Sequence, residues 1–406
     1  MVVGRAGELA QVRRLVAATA SGRGAAPAVL GEAGVGKTRP LQAATGATAN
    51  LRGGRPGRSV AATEVAPGRY RDRPAEGRRV VLVLSGSQVE RLLDPDELVD
   101  AVAAAMADLS AGRASAPDRI AAFVPERDGF LAAMPGYVPS AGVLAAKLVS
   151  LFPGNAGTGV PTHQAVVVCC DPDTGTPVAL LDGTVITAMR TAAASAVSAR
   201  LLARPDAAVL AVLGTGVQAR SHARAMCRVR PIREIRVAGR DRGRSAALAA
   251  ELAGELGVTA VGVGSYAEAL DGADLVCAAT HATEPVVRRE WLAPGVHIAS
   301  VGFGGREVDD ATVADALVCV ESRRAALAPH PTGAADLHEP IHAGLITAEH
   351  VHAELGELVL GTRPGRTADD QITLYKSVGV AVQDAAAAAL VLRAARERGV
   401  GSDVPL

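Results

Sequence analysis

Two glycine-rich loops in this chain have the spacing of nucleotide-binding loops. Residues 31–38 read GEAGVGKT and match G-x-x-x-x-G-K-[ST], in which backbone amides surround phosphates, Lys37 reaches them and Thr38 holds Mg²⁺. Residues 214–219 read GTGVQA and match G-x-G-x-x-G/A, the loop that receives the pyrophosphate of a dinucleotide. The first loop indicates a user of ATP or GTP and the second a user of NAD or NADP, so the surrounding elements must decide between them.

The second loop has the setting that dinucleotide binding requires. It follows the apolar strand AAVLAVL and begins the helix VQARSHARAMCRV. Gly214 permits the tight turn, Gly216 lets the backbone approach the pyrophosphate, and Ala219 lets the helix pack closely on the strand. We therefore expect the pyrophosphate on the amides of the helix N-terminus, at Val217 and Gln218.

The end of the next strand, EIRVAGR at 234–240, indicates which nicotinamide cofactor is used. An acidic residue there would bond the ribose 2′-hydroxyl of NAD, whereas an arginine would pair with the 2′-phosphate of NADP. Arg240 ends the strand, and Arg242 and Arg244 follow closely, which favours NADP(H) over NAD(H). Asp241 could serve the ribose instead and keeps NAD(H) as the alternative.

Strands alternate with helices around the second loop. Beyond the two strands already named, apolar runs at 274–280, 295–302 and 316–322 predict further strands, and RGRSAALAAELAGEL at 242–256 predicts a helix. This alternation predicts a doubly wound parallel sheet.

Mixed elements flank this segment on both sides. We predict a helix at 94–112, a hairpin formed by 165–170 and 177–181, and an Ala-rich helix at 186–203. Near the C-terminus, residues 376–399 are predicted to form one long helix that packs back on the first part of the chain.

Composition excludes several classes of protein. Lys plus Arg and Asp plus Glu both number 42, and this net charge of +0 gives no reason to expect nucleic acid as a partner. We find no uncharged apolar run of about 18 residues and no signal-peptide layout, so we expect a cytoplasmic protein without a membrane segment. The five cysteines lie in apolar runs without C-x-x-C spacing, which argues against a disulfide framework and a metal site.

Motifs along most of the chain resemble the ornithine cyclodeaminase/mu-crystallin family. They are PGY (135–137), AAKLVSLFPGN (145–155), GVPTHQAVVV (159–168), LLDGTVITAMRTAAASA (180–196), VLGTGVQARSH (212–222), ATEPVVRREWLAPGVHI (282–298), AELGELVLG (353–361) and LYKSVGVAVQDAAAA (374–388). The resemblance covers roughly residues 79–400. It implies an α/β fold and a homodimer, with a Rossmann domain (204–327) inserted in an α+β substrate-binding and dimerisation domain (79–203 and 328–406).

The resemblance also implies a substrate site for a small amino or imino acid. Lys147 matches the active-site lysine of the family, Arg190 matches an arginine that holds the substrate carboxylate, and Arg119 resembles its partner. A planar guanidinium suits this task because it can form two bonds to one carboxylate. Lys147 lies in the apolar run VLAAKLVSL, so burial beside Arg190 would lower its pKa and allow proton transfer near neutral pH.

Further positions are expected to contact the cofactor. Thr162 and His163 are expected to face its nicotinamide half, and Thr280, Val301 and Gly302 are expected to bind the cofactor. A structural role for His163 is the alternative.

Two departures from the family pattern bear on activity. Ornithine cyclodeaminases carry an aspartate, thought to activate water, where this chain has Ala282. Deamination would therefore lack its general base. His281 is the alternative acid or base. Hydride transfer to a C=N bond does not need that carboxylate. The loop after VGF, at 303–306, is about two residues shorter than in the family and lies near the nicotinamide there, which puts catalytic competence in question.

The first glycine loop lacks the elements that a P-loop ATPase needs. The apolar run that follows it, VVLVLS at 80–85, ends in serine rather than in a metal-positioning aspartate, and Pro40 stands where a helix should continue. We interpret residues 1–51 as a severed P-loop ATPase-like fragment, and the Arg-, Gly- and Pro-rich residues 52–78 as a disordered linker, so that this N-terminal extension is largely irregular. Genuine ATP binding is the alternative.

Together these patterns predict an NADP(H)-dependent oxidoreductase of the ornithine cyclodeaminase/mu-crystallin type that reduces a small cyclic ketimine carboxylate, such as a pyrroline- or piperideine-2-carboxylate. The alternatives are an ornithine cyclodeaminase, an amino-acid dehydrogenase on the same scaffold, a catalytically silent NADP(H)- or small-ligand-binding protein, and a nucleotide-switched regulator built on the P-loop. The expected partners are a small amino or imino acid and a second copy of the chain, with no nucleic acid and no membrane.

Overall fold

Residues 80–329 and 332–406 are described by a computed structural model of the chain. The ATPase-like fragment predicted at 1–51 and the linker predicted at 52–78 lie outside these residues. Within the described ranges, no helix is long and apolar enough to cross a membrane.

Strands and helices of the described residues are numbered in chain order. The strands are β1 Val80–Leu84, β2 Ile120–Val124, β3 Gly129–Val138, β4 Val143–Leu151, β5 His163–Cys170, β6 Pro177–Asp182, β7 Val209–Leu213, β8 Glu234–Ala238, β9 Thr259–Gly262, β10 Leu275–Ala278, β11 His297–Ser300, β12 Leu317–Val320, β13 Val351–Glu354, β14 Thr373–Lys376 and β15 Ser402–Pro405. The α-helices are α1 Gly86–Leu92, α2 Pro95–Ser110, α3 Gly183–Leu202, α4 Val217–Val229, α5 Arg242–Leu256, α6 Tyr266–Leu270, α7 Asp310–Asp315, α8 Arg323–Ala326, α9 Ala335–His342, α10 Leu355–Val359 and α11 Ala381–Arg398.

The first sheet is mixed and has the order β15-β1-β6-β5-β4-β3-β2. Only β1 and β6 pair in parallel; the other neighbours in this sheet are antiparallel. Strands β5 and β6 form the hairpin expected from the sequence. Helix α11 packs against β3, β4 and β5, and α2, α3 and α11 pack against one another, so the main apolar core lies between this sheet and its helices.

The second sheet is parallel throughout and has the order β13-β12-β14-β11-β10-β7-β8-β9. It confirms the α/β fold and the doubly wound sheet that the alternation of strands and helices predicted. Strand β7 has β8 on one side and β10 on the other, so the direction of winding reverses between β7 and β10. Ligands of such sheets bind in the crevice at the carboxyl ends of the strands at this point.

The C-terminal segment differs from the single helix predicted at 376–399. Thr373–Lys376 forms β14, which is fully buried between β11 and β12, and the helix begins only at Ala381. Gly379 has φ +76°, outside the range of a right-handed helix, and so separates the two elements. Strands β13 and β14 thus belong to the parallel sheet, although both lie in the segment 328–406 that the sequence analysis assigned to the substrate-binding domain.

Helix α3 lies tightly against the first sheet. Its N-terminus is capped by Asp182, whose carboxylate accepts a hydrogen bond from the Val185 amide at 2.9 Å. At Gly183 a Cβ atom would lie 2.8 Å from the carbonyl carbon of Ala165 in β5, so only glycine allows this approach. The helix is therefore held in place over the strand that neighbours Lys147.

Candidate active site

Asp384, on the first turns of α11, joins the lysine and one of the arginines predicted from the sequence. Its Oδ1 accepts hydrogen bonds from Lys147 Nζ at 3.0 Å and from Arg190 Nε at 2.9 Å, and its Oδ2 lies 2.9 Å from the same Nζ. All three side chains are buried. Strand β4, helix α3 and helix α11 each supply one member of this cluster.

The charges in this cluster shift the pKa of the lysine and of the carboxyl group. Burial is the main cause that lowers the pKa of Lys147 to about 8; Asp384 opposes the shift and Arg190 adds to it. Burial alone would raise the pKa of Asp384, but the charges of Arg190 and Lys147 outweigh it and hold this pKa below its ordinary value. A lysine with this pKa can exchange a proton near neutral pH.

Arg190 is held by two side chains of α11. Its Nη1 donates to Gln383 Oε1 at 2.5 Å, and its Nε is committed to Asp384. Within the described ranges no hydrogen-bond partner meets Nη2. A Cβ atom at Gly379 would lie 2.9 Å from both Nη1 and Nη2, so this glycine makes room for the guanidinium.

Arg119, immediately before β2, contacts the turn that contains Gly379. Its Nη2 donates to the carbonyl oxygens of Val378 and Gly379, both at 2.8 Å, and its Cζ lies 5.3 Å from the ring centroid of Phe303. Burial, followed by the charge of Arg190, lowers the pKa of Arg119. Nε and Nη1 of Arg119 have no hydrogen-bond partner among residues 80–329 and 332–406.

His163 is the first residue of β5 and faces the cluster. It pairs with Leu151 at the end of β4, the strand that carries Lys147. Burial, and then the charges of Lys147 and Arg190, lower its pKa to about 4. The imidazole is therefore neutral at physiological pH. Thr162 directly precedes it and is half-buried.

The crevice between β7 and β10 has the shape that a dinucleotide loop needs. Gly214 has φ +114°, and a Cβ atom there would lie 2.4 Å from the carbonyl oxygen of Ala279, so the position requires glycine. At Gly216 a Cβ atom would meet no atom within 4 Å, which leaves the backbone open to an incoming group. The geometry at both glycines is compatible with the dinucleotide loop that the motif predicts.

The first turn of α4 also fits an incoming dinucleotide. Val217 is exposed and Ala219 is buried against the sheet. The side-chain oxygen Oε1 of Gln218 is buried, and no group among the described residues bonds it. His222 holds this turn, because its Nδ1 bonds the Gln218 carbonyl at 2.8 Å and its Nε2 bonds Ser195 in α3 at 2.9 Å.

Thr280, Val301 and Gly302 lie at the carboxyl ends of β10 and β11, and a buried carboxylate ties two of them together. Glu307 Oε1 accepts hydrogen bonds from the amide and hydroxyl of Thr280 at 2.6 and 2.8 Å. Its Oε2 accepts from Ser300 Oγ at 2.8 Å and from the Gly302 amide at 2.7 Å. The amides of Thr280 and Gly302 therefore point into the protein.

A buried lysine completes this support. Lys376 Nζ donates to Ser300 Oγ at 3.0 Å and to the Gly302 carbonyl at 2.9 Å, and pairs with Asp336 Oδ2 at 2.8 Å. Asp336 Oδ1 in turn accepts from the Glu307 amide at 2.7 Å. The loops at this end of the sheet are thus fixed by a closed polar network.

At the end of β8, Arg240 and Arg244 are exposed, whereas Asp241 is engaged in capping α5. Its Oδ1 accepts a hydrogen bond from the Arg244 amide at 3.0 Å. A carboxylate committed to a helix cap is a poorer partner for a ribose hydroxyl than a free one.

Comparison with known proteins identifies the family of this chain. The sequence profile of the ornithine cyclodeaminase/mu-crystallin family matches residues 79–399. The chain belongs to this family.

The matches to individual relatives span nearly the full length of each relative. Ketimine reductase mu-crystallin of the mouse, Mus musculus, is 37% identical over 321 residues, which are 77% of this chain and 97% of the relative. The structure of Thermococcus litoralis Delta(1)-pyrroline-2-carboxylate reductase in complex with NADH and L-proline is 39% identical, with a TM-score of 0.77, and the match covers 80% of this chain and 100% of that one. The structure of an archaeal alanine dehydrogenase dimer with bound NAD is 31% identical, with a TM-score of 0.74, and the match covers 80% of this chain and 99% of that one. The family, the fold class and the enzyme class predicted from the sequence are confirmed.

The two departures from the family pattern lie side by side. Ala282 is half-buried, and its carbonyl oxygen accepts a hydrogen bond from the Arg306 amide at 3.1 Å. A Cβ atom at Gly305 would lie 2.1 Å from that same oxygen. The loop 303–306 therefore closes directly onto Ala282, where the resemblance implies the aspartate of cyclodeaminases, and His281 beside it is exposed.

Sequence reasoning missed the buried carboxylates that support the predicted residues. Asp384 lies 237 positions after Lys147, and Gln383, which accepts a hydrogen bond from Arg190, precedes it in α11. Both belong to the motif LYKSVGVAVQDAAAA, so the resemblance contained them without indicating a role. Nothing in the local sequence around Glu307 distinguishes it from a surface carboxylate.

Proposed function

We propose that this protein reduces a small cyclic ketimine that carries a carboxylate, with NADPH as the preferred reductant. The observation that carries the proposal is the buried cluster in which Asp384 holds Lys147 and Arg190 side by side. It combines a proton-transfer group with a carboxylate-binding group, and Ala282 adds no carboxylate that could activate water.

The two arginines would hold the substrate. Nη2 of Arg190 and Nε and Nη1 of Arg119 are donors that no partner among the described residues takes, and a carboxylate can accept from both guanidinium groups. Asp384 and Gln383 hold Arg190 through its Nε and Nη1. Substrate binding would therefore cost little side-chain entropy at this arginine. The substrate is thereby oriented before reaction.

Lys147 would supply the proton. In reduction of an imine, the carbon of the C=N bond takes a hydride and the nitrogen takes a proton, so that an amine forms. A nicotinamide cofactor bound at the crevice of β7 and β10 supplies the hydride. Lys147, with its pKa lowered to about 8, holds a proton at neutral pH and can release it to the nitrogen more readily than an ordinary lysine.

We infer the preference for NADP(H) from the end of β8. Arg240 and Arg244 are exposed at the position where the 2′ substituent of the adenosine ribose is expected, and Asp241 is occupied by the helix cap. These charges favour a phosphate over a hydroxyl group.

The outer face of the first sheet supports a homodimer. Leu148 and Val166 are directly opposed in β4 and β5, Ile120 and Leu131 share their face, and all four are exposed, by 37%, 39%, 72% and 49% respectively. This face is opposite to the one that bears Lys147, because side chains alternate along β4. A second copy of the chain would cover such an apolar patch, and the related archaeal alanine dehydrogenase is described as a dimer.

The division into domains follows the two sheets. We propose a substrate-binding and dimerisation domain built on the mixed sheet and a nucleotide-binding domain built on the parallel sheet, which takes in β13 and β14 as well as residues 204–327. A cytoplasmic location stays a prediction from the sequence.

One pair of assays separates the candidate activities. The purified protein is incubated with NADPH and Δ1-pyrroline- or Δ1-piperideine-2-carboxylate, and separately with ornithine and NAD, while cofactor absorbance and ammonia are followed. Imine-dependent oxidation of NADPH is the expected result. Ammonia and proline from ornithine would establish a cyclodeaminase instead, and tight NADPH binding without turnover would establish a silent binding protein.

A further inference from the structure

A buried carboxylate outside the site described above contacts the turn that holds Arg119. Glu321 follows β12 directly and is fully buried. Its carboxylate accepts hydrogen bonds from the hydroxyl of Ser377 and from the amides of Val378 and Gly379, at 2.8 Å to the Gly379 amide. Every one of these donors belongs to the three-residue turn that follows β14.

One peptide group of this turn links Glu321 to Arg119. The peptide that joins Val378 and Gly379 donates its N–H to Glu321 Oε1 and accepts at its carbonyl from Arg119 Nη2, both at 2.8 Å. The N–H and C=O of a trans peptide point in opposite directions, so this peptide lies between the carboxylate and the guanidinium. Rotating it away from Glu321 would turn its carbonyl away from Arg119.

The same turn also limits the space around the guanidinium of Arg190. Gly379 packs against the guanidinium of Arg190 so closely that a Cβ atom would lie 2.9 Å from two of its nitrogens. A displacement of the turn would therefore move the carbonyl oxygens that accept hydrogen bonds from Arg119. The same displacement would open the space beside Arg190. The negative charge of Glu321 also favours the charged form of the half-buried Arg119.

The register of the sheet fixes where Glu321 stands. Val320 in β12 pairs with Lys376 in β14, so Glu321 and Ser377 follow directly opposed residues at the carboxyl ends of adjacent strands. The parallel sheet that carries the cofactor crevice thereby positions an arginine of the substrate site.

We propose that Glu321 is a positioning residue for carboxylate recognition: through the Ser377–Gly379 turn it holds Arg119 where the substrate carboxylate binds. The proposal rests on the proposed function, because it concerns the same substrate. Glu321 itself does not touch the substrate.

The test compares two imines that differ only in the carboxylate. The kcat/KM of NADPH-dependent reduction is measured for Δ1-pyrroline-2-carboxylate and for Δ1-pyrroline, in the wild-type protein and in Glu321→Gln. The ratio of the two values reports recognition of the carboxylate alone, because loss of folded protein lowers both equally. We expect the ratio to fall about tenfold in Glu321→Gln, as for the loss of one charge-assisted hydrogen bond.

Glu307→Gln is the matched control. Glu307 is also a fully buried carboxylate that accepts several hydrogen bonds, but its donors are on Thr280, Ser300 and Gly302 rather than on the turn. We expect its ratio to equal that of the wild type even where its KM for NADPH rises. A fall of the same size in Glu307→Gln would overturn the proposal.

Ser377→Ala is the second variant, in case Glu321→Gln does not fold. It removes one donor to Glu321 and no charge, and we expect the ratio to fall about threefold. Ratios that stay at the wild-type value in every variant that folds would overturn the proposal. Absence of imine reduction by the wild-type protein would instead refute the proposed function, so the two failures are distinguishable.

Discussion

The carboxylate of Asp384 lies 3.0 Å from Nζ of Lys147, in a place where both side chains are nearly closed to solvent. A buried lysine without a counter-charge would lose its proton, and a buried carboxylate without one would gain a proton. This pair keeps both groups charged and leaves the lysine with a lowered pKa.

We expect Asp384→Asn to lower the kcat/KM for the imine about 100-fold and the free energy of unfolding by about 3–5 kcal/mol, because it leaves two buried cations without their carboxylate. Assays of activity and of denaturant unfolding test this. Asp206→Asn is the control, since that carboxylate is 81% exposed and forms only a surface ion pair with Arg204. Equal effects of the two substitutions would contradict the assignment.

The pH dependence of imine reduction should follow Lys147. The protonated lysine is the acid, so kcat/KM is expected to be constant below the pKa of about 8 and to fall as the pH rises through it. The charge of Asp384 raises this pKa, so in Asp384→Asn the fall should begin at lower pH. A rate that increases with pH through 8 would show that Lys147 does not act as the acid.

Arg240→Ser should weaken the preference for NADP(H). We expect the KM for NADPH to rise about tenfold or more and the KM for NADH to change little, because under the proposed assignment the arginine pairs only with the 2′-phosphate. Arg228→Ser, which alters a surface arginine of α4 paired with Asp96, is the control. A wild-type protein that prefers NADH would refute the cofactor assignment.

Leu148→Glu should convert the protein from a dimer to a monomer, because it introduces a charge in the centre of the apolar face of the first sheet. Light scattering coupled to size-exclusion chromatography measures the mass in solution. Leu345→Glu changes a leucine that is 58% exposed outside this sheet and should leave the mass unchanged. A wild-type protein that runs as a monomer would exclude the proposed interface.

Lys37→Ala tests the N-terminal glycine loop. We expect no Mg-ATP hydrolysis by the wild-type protein and no effect of the substitution on imine reduction, because the apolar run at 80–85 that follows the loop ends in serine rather than in a metal-positioning aspartate. ATP hydrolysis that disappears in Lys37→Ala would show that the fragment is active.

The sequence by itself was enough for the fold class and for the residues that belong to motifs. Apolar periodicity is a local signal, so the strands and helices around 207–322 could be predicted from neighbouring residues alone. The loop that begins at Gly214 is likewise a property of six consecutive residues. Lys147, Arg190 and Arg119 came from the resemblance, because their own surroundings are an apolar strand, an Ala-rich helix and a loop.

Only the tertiary structure decided which groups surround these residues. The helix predicted at 376–399 begins only at Ala381, because the parallel sheet takes up Thr373–Lys376 between β11 and β12 and a turn follows. Asp384 lies in a motif of the family resemblance that indicated no role for it, and it meets Lys147 across 237 positions of sequence. Glu321 ends an apolar run and has no local pattern that predicts its contacts. The physical reason is that an ion pair or a hydrogen bond between distant segments depends on how sheets and helices pack, whereas periodicity and turn chemistry record only what each segment does locally.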